Sequence, residues 1–194
     1  MLIVADDLVV VEADLAARRL LCPRCGVGGL AGWGFARPRI LRVRGGERWL
    51  SPRRGRCRGC AATHVLLPDV CLVRRRDAVE VIGEALIAAV GEGYRPVAAR
   101  LGVPMETVRG WVRRARARAA VIAAHFIRWA RALDGSLAQP ERAGSPLADA
   151  LEAIGLCARA ASLALGWRPA WSWVSALSAG GLLCNTSSLS TAPE

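Results

Sequence analysis

The sequence predicts a mainly α-helical protein with a small β ribbon in its N-terminal half. Two CxxC pairs flank a segment rich in Gly, Pro and Arg that contains short alternating strands. After residue 76 the hydrophobic period changes from 2 to 3.6. The expected organisation is a strand and helix segment at 1–21, a ribbon at 22–70, a helix-turn-helix unit at 74–120, a helical region at 121–184 and a tail at 185–194.

Charge is distributed unevenly along the chain. Its 194 residues include 27 basic and 16 acidic side chains, for a net charge of +11, and every basic residue is Arg. Residues 18–131 hold most of the arginines, whereas 1–17 and 132–194 are net negative. A GC-rich genome could explain the missing Lys, but it does not explain where the charge lies. We therefore expect a polyanion, nucleic acid before an acidic membrane surface, to contact the region between Arg18 and Arg131.

Short β-structured segments are expected before residue 68. Alternation around Gly45-Gly46 predicts a hairpin from Leu41 to Leu50. The other predicted elements are strands at Leu2–Val4, Leu8–Val11 and Thr63–Leu67, and a helix at Glu12–Leu21.

Four cysteines have the spacing of a metal site. Cys22 and Cys25 form one CxxC pair, and Cys57 and Cys60 form the other. Two such pairs supply four soft ligands in a tetrahedron, which selects Zn²⁺ and leaves no open position, so the expected cofactor is a structural zinc ion. The alternatives are a redox CxxC or unrelated core cysteines, and His64 could replace one Cys. The remaining cysteines are expected to be small buried residues: Cys71, Cys157 and Cys184.

Helical periodicity dominates the rest of the chain. The predicted helices cover Arg76–Val90, Pro96–Leu101, Pro104 to about Leu133 without a break, Pro146–Leu165 and a short segment around Trp171–Leu177. Two of them carry heptad stripes, from Val108 to Leu133 and from Leu147 to Leu165. An antiparallel pair within one chain is the favoured arrangement, and a homodimer seam on DNA is the alternative.

The segment from Pro96 to Val112 resembles the bacterial helix-turn-helix pattern. Hydrophobic residues occupy its five buried positions: Val97, Leu101, Val103, Val108 and Trp111. Ala98 stands where the two helices touch, and Gly102 stands in the turn. The second helix of such a unit enters the major groove of double-stranded DNA with its N-terminus first.

This placement yields a set of candidate DNA-binding residues. Arg109 and Arg113 share one helix face and can pair with guanine edges. Glu106 either accepts from cytosine or stabilises the helix N-terminus, and Thr107 can reach a phosphate or a thymine methyl. The full set is Arg95, Arg100, Met105, Glu106, Thr107, Arg109, Arg113 and Arg114, of which Arg95, Arg100 and Arg114 are expected to hold phosphates.

These motifs together resemble a known family. CPRCG, RRGRCRGC, THVLLP, RRRD and the helix-turn-helix pattern are similar to a mostly actinobacterial family that looks like the N-terminal, DNA-binding half of insertion-element transposases. The resemblance spans roughly residues 15–131 and implies a zinc ribbon, DNA binding and no assigned reaction. A DDE catalytic domain is larger than the 63 residues that follow Arg131.

The leading hypothesis is a sequence-specific binder of double-stranded DNA, acting as a regulator or a stand-alone transposase remnant. The alternative is a non-catalytic adaptor with only non-specific affinity for nucleic acid. An enzyme is disfavoured because no nucleophile set, phosphate loop or open metal site is visible, and no small-molecule substrate is expected. The acidic start and the short apolar stretch from Pro169 to Cys184 favour a cytoplasmic, nucleoid-associated protein without a membrane span.

Overall fold

The computed structural model describes residues 1–138, 140–184 and 189. About 45% of the chain is helical and 19% is in strands, so the predicted mainly α-helical class with a small β part is confirmed. The strands are β1 (Leu2–Val4), β2 (Leu30–Phe35), β3 (Arg39–Val43), β4 (Gly46–Leu50), β5 (Arg53–Cys57) and β6 (Thr63–Pro68). The helices are α1 (Leu8–Ala16), α2 (Val79–Ala88), α3 (Tyr94–Leu101), α4 (Met105–Ala117), α5 (Ala119–Leu133), α6 (Pro146–Leu165) and α7 (Ala170–Leu177).

A four-stranded mixed sheet carries both cysteine pairs. Its strand order is β1-β6-β5-β2, with β1 parallel to β6 and the other neighbours antiparallel. Neither β2 nor β5 is evident from the sequence pattern, since Gly32 and Gly34 interrupt β2 and arginines fill β5. The predicted hairpin is confirmed as a separate two-stranded sheet, β3-β4, whose turn has Gly45 at a φ of +75°.

The predicted strand at Leu8–Val11 is wrong, because this segment forms the first half of α1. The side chain of Asp7 accepts hydrogen bonds from the backbone N–H groups of Val9 and Val10 and so caps the helix. Such a cap contributes about 1 kcal/mol to the stability of the helix. Val11 and Leu15, four residues apart, are buried on one side of the helix. The predicted helix at Glu12–Leu21 therefore begins too late and also ends too late.

The predicted unbroken helix from Pro104 to Leu133 is also wrong. It is divided at Arg118, whose φ of −118° and ψ of 8° are not helical, into α4 and α5. The guanidinium of Arg118 donates to the backbone carbonyl oxygens of Gly181, Leu182 and Cys184. The break thus coincides with contacts to a segment more than 60 residues away. The heptad stripe does not reveal the break, because the stripe continues across it. Ala115 before the break and Ala119 after it are both buried.

Helices α2 to α7 enclose the larger hydrophobic core. α5 packs along α6 within one chain, and Ile122, Phe126 and Ile154 are buried in this core. α6 begins as predicted, with Ser145 as the N-cap and Pro146 at the first helical position. α7 packs against α6 and α2, where the ring of Trp171 covers Gly83.

No single helix in the described part of the chain is long and apolar enough to cross a membrane. α6 and α7 meet the length and composition criteria only as a pair, and they are bent by 91° relative to each other. The predicted tail at 185–194 lies outside the described residues, apart from Leu189.

Candidate functional site

The four predicted cysteines form one cluster. Their Sγ atoms all lie within 4.8 Å of one another, and the Sγ–Sγ distance is 3.7 Å both from Cys22 to Cys60 and from Cys25 to Cys57. Cys22 and Cys57 are buried, whereas Cys25 and Cys60 are partly exposed. Four sulfurs at these separations can surround one metal ion. The remaining cysteines are buried, as predicted: Cys71, Cys157 and Cys184.

Backbone N–H groups point at the sulfurs of the cluster. Gly28 donates to Sγ of Cys25 over 3.4 Å, and Gly59 donates to Sγ of Cys57 over 3.3 Å. Hydrogen bonds from the backbone of Gly28 and Val27 lower the pKa of Cys25 to about 6. The backbone therefore stabilises a thiolate here, which is the form of cysteine that binds metal.

His64 lies beside the cluster. Its Nε2 atom is 3.2 Å from Sγ of Cys22, and burial lowers the pKa of the imidazole. The four sulfurs are already close enough to one another to complete a tetrahedron, so the site does not need His64 as a ligand. The ring is placed to hydrogen-bond a ligand sulfur instead.

α3 and α4 pack closely across a short turn. Gly102 ends α3 in the left-handed region with a φ of +64°, and Pro104 immediately precedes α4. The hydrophobic residues singled out in the sequence point inward: Val97, Ala98, Val103, Val108 and Trp111 are buried, and Leu101 is half-buried. α3 starts at Tyr94, two residues earlier than predicted, and Pro96 lies in its first turn, where a missing N–H is tolerated.

The opposite side of α4 faces solvent. Met105, Glu106, Arg109 and Arg113 are exposed, and Thr107 is half-buried. Nη1 of Arg109 lies 3.7 Å from a carboxylate oxygen of Glu106, one turn earlier in the helix. Four of the eight candidate DNA-binding residues therefore lie on one accessible face of α4.

The three predicted phosphate-holding arginines differ in their surroundings. Arg95 is exposed, and no acidic side chain of the described residues pairs with it. Arg100 donates to both carboxylate oxygens of Glu92, over 2.8 and 3.2 Å. Arg114 is half-buried and donates to the carbonyl of Gly110 in its own helix. A phosphate would have to displace Glu92 to reach Arg100.

The arginines between β6 and α2 were not among the predicted site residues. Arg74, Arg75 and Arg76 line a cleft of about 250 Å³ together with residues of α4. The residues contributed by α4 are Glu106, Thr107, Gly110, Trp111 and Arg114. A run of three arginines was a visible signal, but its position beside α4 depends on the tertiary fold.

Two partly exposed aromatic rings on β2 were also missed. The guanidinium carbon of Arg53 lies 4.6 Å from the ring centroid of Phe35, and that of Arg56 lies 4.7 Å from Trp33. These are cation–π contacts. One surface of the ribbon is thus both aromatic and cationic.

Residues 22–111 match a family described as a domain of unknown function (DUF6431). The match covers less than half of the chain, from the first cysteine of the cluster to Trp111 in α4. No curated protein and no solved structure matches the chain. The matched segment therefore contains the cysteine cluster, α3 and the first half of α4.

Proposed function

We propose that the protein is a sequence-specific binder of double-stranded DNA, in which α3 and α4 form a helix-turn-helix unit. The observation that carries this proposal is the division of α4 into two faces. Val108, Trp111 and Val112 are buried, while the opposite face presents Arg109 and Arg113 to solvent. A helix held this way can enter the major groove with its N-terminal turns.

Arg109 and Arg113 are the proposed base-reading residues. Each guanidinium can donate two hydrogen bonds to O6 and N7 of guanine. Glu106, 3.7 Å from Arg109, would orient that guanidinium before DNA binds. In the complex Glu106 would accept from cytosine N4 or stay paired with Arg109, while Met105 and Thr107 would contact neighbouring base edges.

Arg95 on α3 and Arg114 on α4 are proposed to hold phosphates of the DNA backbone. Arg100 can join them only by exchanging Glu92 for a phosphate. Such contacts position the protein without reading sequence. The concentration of positive charge in residues 18–131 fits this role.

The cysteine cluster is proposed to hold one structural zinc ion through Cys22, Cys25, Cys57 and Cys60. Four thiolates complete the tetrahedral preference of Zn²⁺ and leave no position for a reacting water. The ion would supply stability that the small ribbon core does not, since the core formed there by the described residues contains seven buried side chains, two of which are Cys22 and Cys57 of the cluster itself. We infer a non-catalytic protein, a regulator or a transposase remnant, located at the nucleoid.

A homodimer on DNA would need a surface other than the predicted heptad stripe. Ile122 and Phe126, at the centre of that stripe, are buried within one chain. The alternative function, a protein-interaction module, has one observation in its favour. Leu163, Leu165 and Trp167, at the end of α6, are exposed hydrophobic residues.

Selection of bound sites from a random duplex library tests the proposed function. The zinc-loaded full chain should enrich one recurring motif, and a variant carrying Arg109→Ala and Arg113→Ala should not. The matched control carries Arg128→Ala and Arg159→Ala, two exposed arginines on α5 and α6. Enrichment of no motif by the wild-type chain would refute sequence-specific binding and favour the adaptor.

A further inference from the structure

Three consecutive arginines connect the ribbon to α2. Arg74 and Arg76 are exposed, and Arg75 between them is half-buried. Arg74 adopts a φ of +59°, which is unusual for a residue with a side chain. This backbone turn coincides with the cleft of about 250 Å³ that the three residues share with the start of α4.

A hydrogen bond within the protein holds the side chain of Arg75. Its Nη2 atom donates to the carbonyl oxygen of Leu183 over 2.6 Å, while its buried Nε has no hydrogen-bond partner. Burial lowers the pKa of Arg75, and the positive charge of Arg114 lowers it further. Arg75 and Arg114 both line the cleft, and an anion bound between their guanidinium groups would stabilise both charges.

The acidic residues that line the cleft form their ion pairs with arginines outside it, although Arg75 and Arg76 also lie near enough to Asp77 for their charges to oppose the rise that burial causes in its pKa. Asp77 forms an ion pair of 3.0 Å with Arg42, and Glu106 lies 3.7 Å from Arg109. Within residues 1–138 and 140–184, no carboxylate forms an ion pair with Arg74, Arg75 or Arg114. The cleft is therefore cationic and has unused donors.

We propose that this cleft binds a backbone phosphate of the DNA duplex, next to the bases that α4 reads. Arg74, Arg75 and Arg114 would donate to the phosphate oxygens, and the hydroxyl of Thr107 would complete the contact. The proposal rests on the proposed function, which it extends by a phosphate site contributed from outside the two helices. A guanidinium suits this ligand because its planar set of donors matches two phosphate oxygens.

The duplex is the favoured source of the phosphate because of where the cleft opens. Glu106, Thr107 and Gly110 of α4 form one wall, and Arg109 lies in the same helical turns. A base contact by Arg109 would bring the flanking sugar-phosphate backbone close to this wall. The arginine segment would then fix the depth and orientation of α4 in the groove.

The salt dependence of duplex binding tests the proposal on the zinc-loaded full chain. Arg74→Gln and Arg114→Gln each remove one charge, and Arg159→Gln on α6 is the matched control. Each cleft variant should reduce the slope of log K against log salt by about 0.9. The ratio of affinities for the selected and a scrambled duplex should stay at the wild-type value, and the control should match wild type in both measures.

Unchanged slopes in both cleft variants would overturn the proposal. Arg74 is exposed, so Arg74→Gln should keep the fold intact. Its salt slope therefore still tests the proposal if Arg114→Gln lowers the thermal stability of the chain. Equal wild-type affinity for both duplexes would refute base reading, yet a reduced slope in Arg74→Gln would still support the cleft. Absence of wild-type binding to any duplex would overturn both. Saturation of the wild-type cleft by inorganic phosphate that is lost in Arg74→Gln, together with unchanged duplex salt slopes in both cleft variants, would assign the cleft to free phosphate and overturn the duplex as its ligand.

Discussion

A Cβ atom built on Gly28 would lie 2.4 Å from Sγ of Cys57. The same atom would lie 3.3 Å from Sγ of Cys25, to which the backbone N–H of Gly28 also donates. Gly28 therefore packs its bare backbone against two of the four sulfurs. The CxxC spacing does not reveal this requirement, because Gly28 lies outside both pairs.

Gly28→Ala should displace Cys57 and weaken metal binding, because no side chain fits between the backbone and the sulfur. We expect loss of most of the bound metal in elemental analysis of the purified chain. Gly46→Ala in the β3–β4 turn is the control, since a Cβ there meets nothing within 4 Å. Full metal content in Gly28→Ala would show that the cluster tolerates this displacement.

Cys57→Ser should abolish zinc binding and unfold the ribbon, because three thiolates with a hydroxyl hold the ion weakly. Wild-type protein should contain one zinc ion per chain and should lose ribbon structure on treatment with a chelator. Cys157→Ala, which changes a buried cysteine of α6, should keep its zinc. A folded, zinc-free wild type whose four ribbon thiols can all be titrated would contradict this expectation.

Phe126→Asp should destabilise the monomer by several kcal/mol, about 4 or more, because it removes a large core side chain and buries a charge. Phe126 is 1% exposed, in the core shared by α5 and α6. Val121→Asp on the same helix changes a residue that is 53% exposed, and it should cost about 1 kcal/mol or less. Denaturant unfolding and light scattering measure both effects. If Phe126→Asp instead converted a wild-type dimer into a stable, folded monomer, the stripe would be an intermolecular seam.

His125 should make the fold sensitive to mild acid. The ring is buried, and its two nitrogens face the carbonyl oxygens of Leu177 in α7 and of Leu189. Burial lowers the pKa of His125 in the folded state, so the unfolded chain takes up a proton first as the pH falls below about 6.5. Its contribution to stability is therefore present above that pH and lost below it.

The test compares the free energy of unfolding of wild type and His125→Gln across about pH 7.5 to 5. Wild type should lose more stability over this range than the variant. Identical pH profiles for wild type and His125→Gln would show that His125 does not cause the loss.

Local patterns predicted the features that depend on near neighbours in the sequence. The cysteine pairs, the Gly45 turn and the Ser145-Pro146 start of α6 each follow from a few adjacent residues. The N-cap of Asp7 is also local, but the three valines that follow it favoured a strand interpretation.

Features that depend on distant segments were not predicted. The break at Arg118 coincides with hydrogen bonds to carbonyl oxygens near Leu182, and Arg75 is held by the carbonyl oxygen of Leu183. The pairing of Arg100 with Glu92 joins the end of α3 to the connection that precedes this helix. In each case the partner of the arginine is a group within the protein that the neighbouring sequence does not reveal.

Base reading by α4 is the central claim, and Arg109→Ala tests it most directly. Binding of wild type, Arg109→Ala and the control Arg128→Ala is measured on the selected duplex and on all its single-base variants at one salt concentration. We expect Arg109→Ala to cost about 1–3 kcal/mol and to relax the preference at one base position, with the other positions and the control unchanged. Equal weakening of every duplex, with the preference at each position intact, would contradict base reading by Arg109.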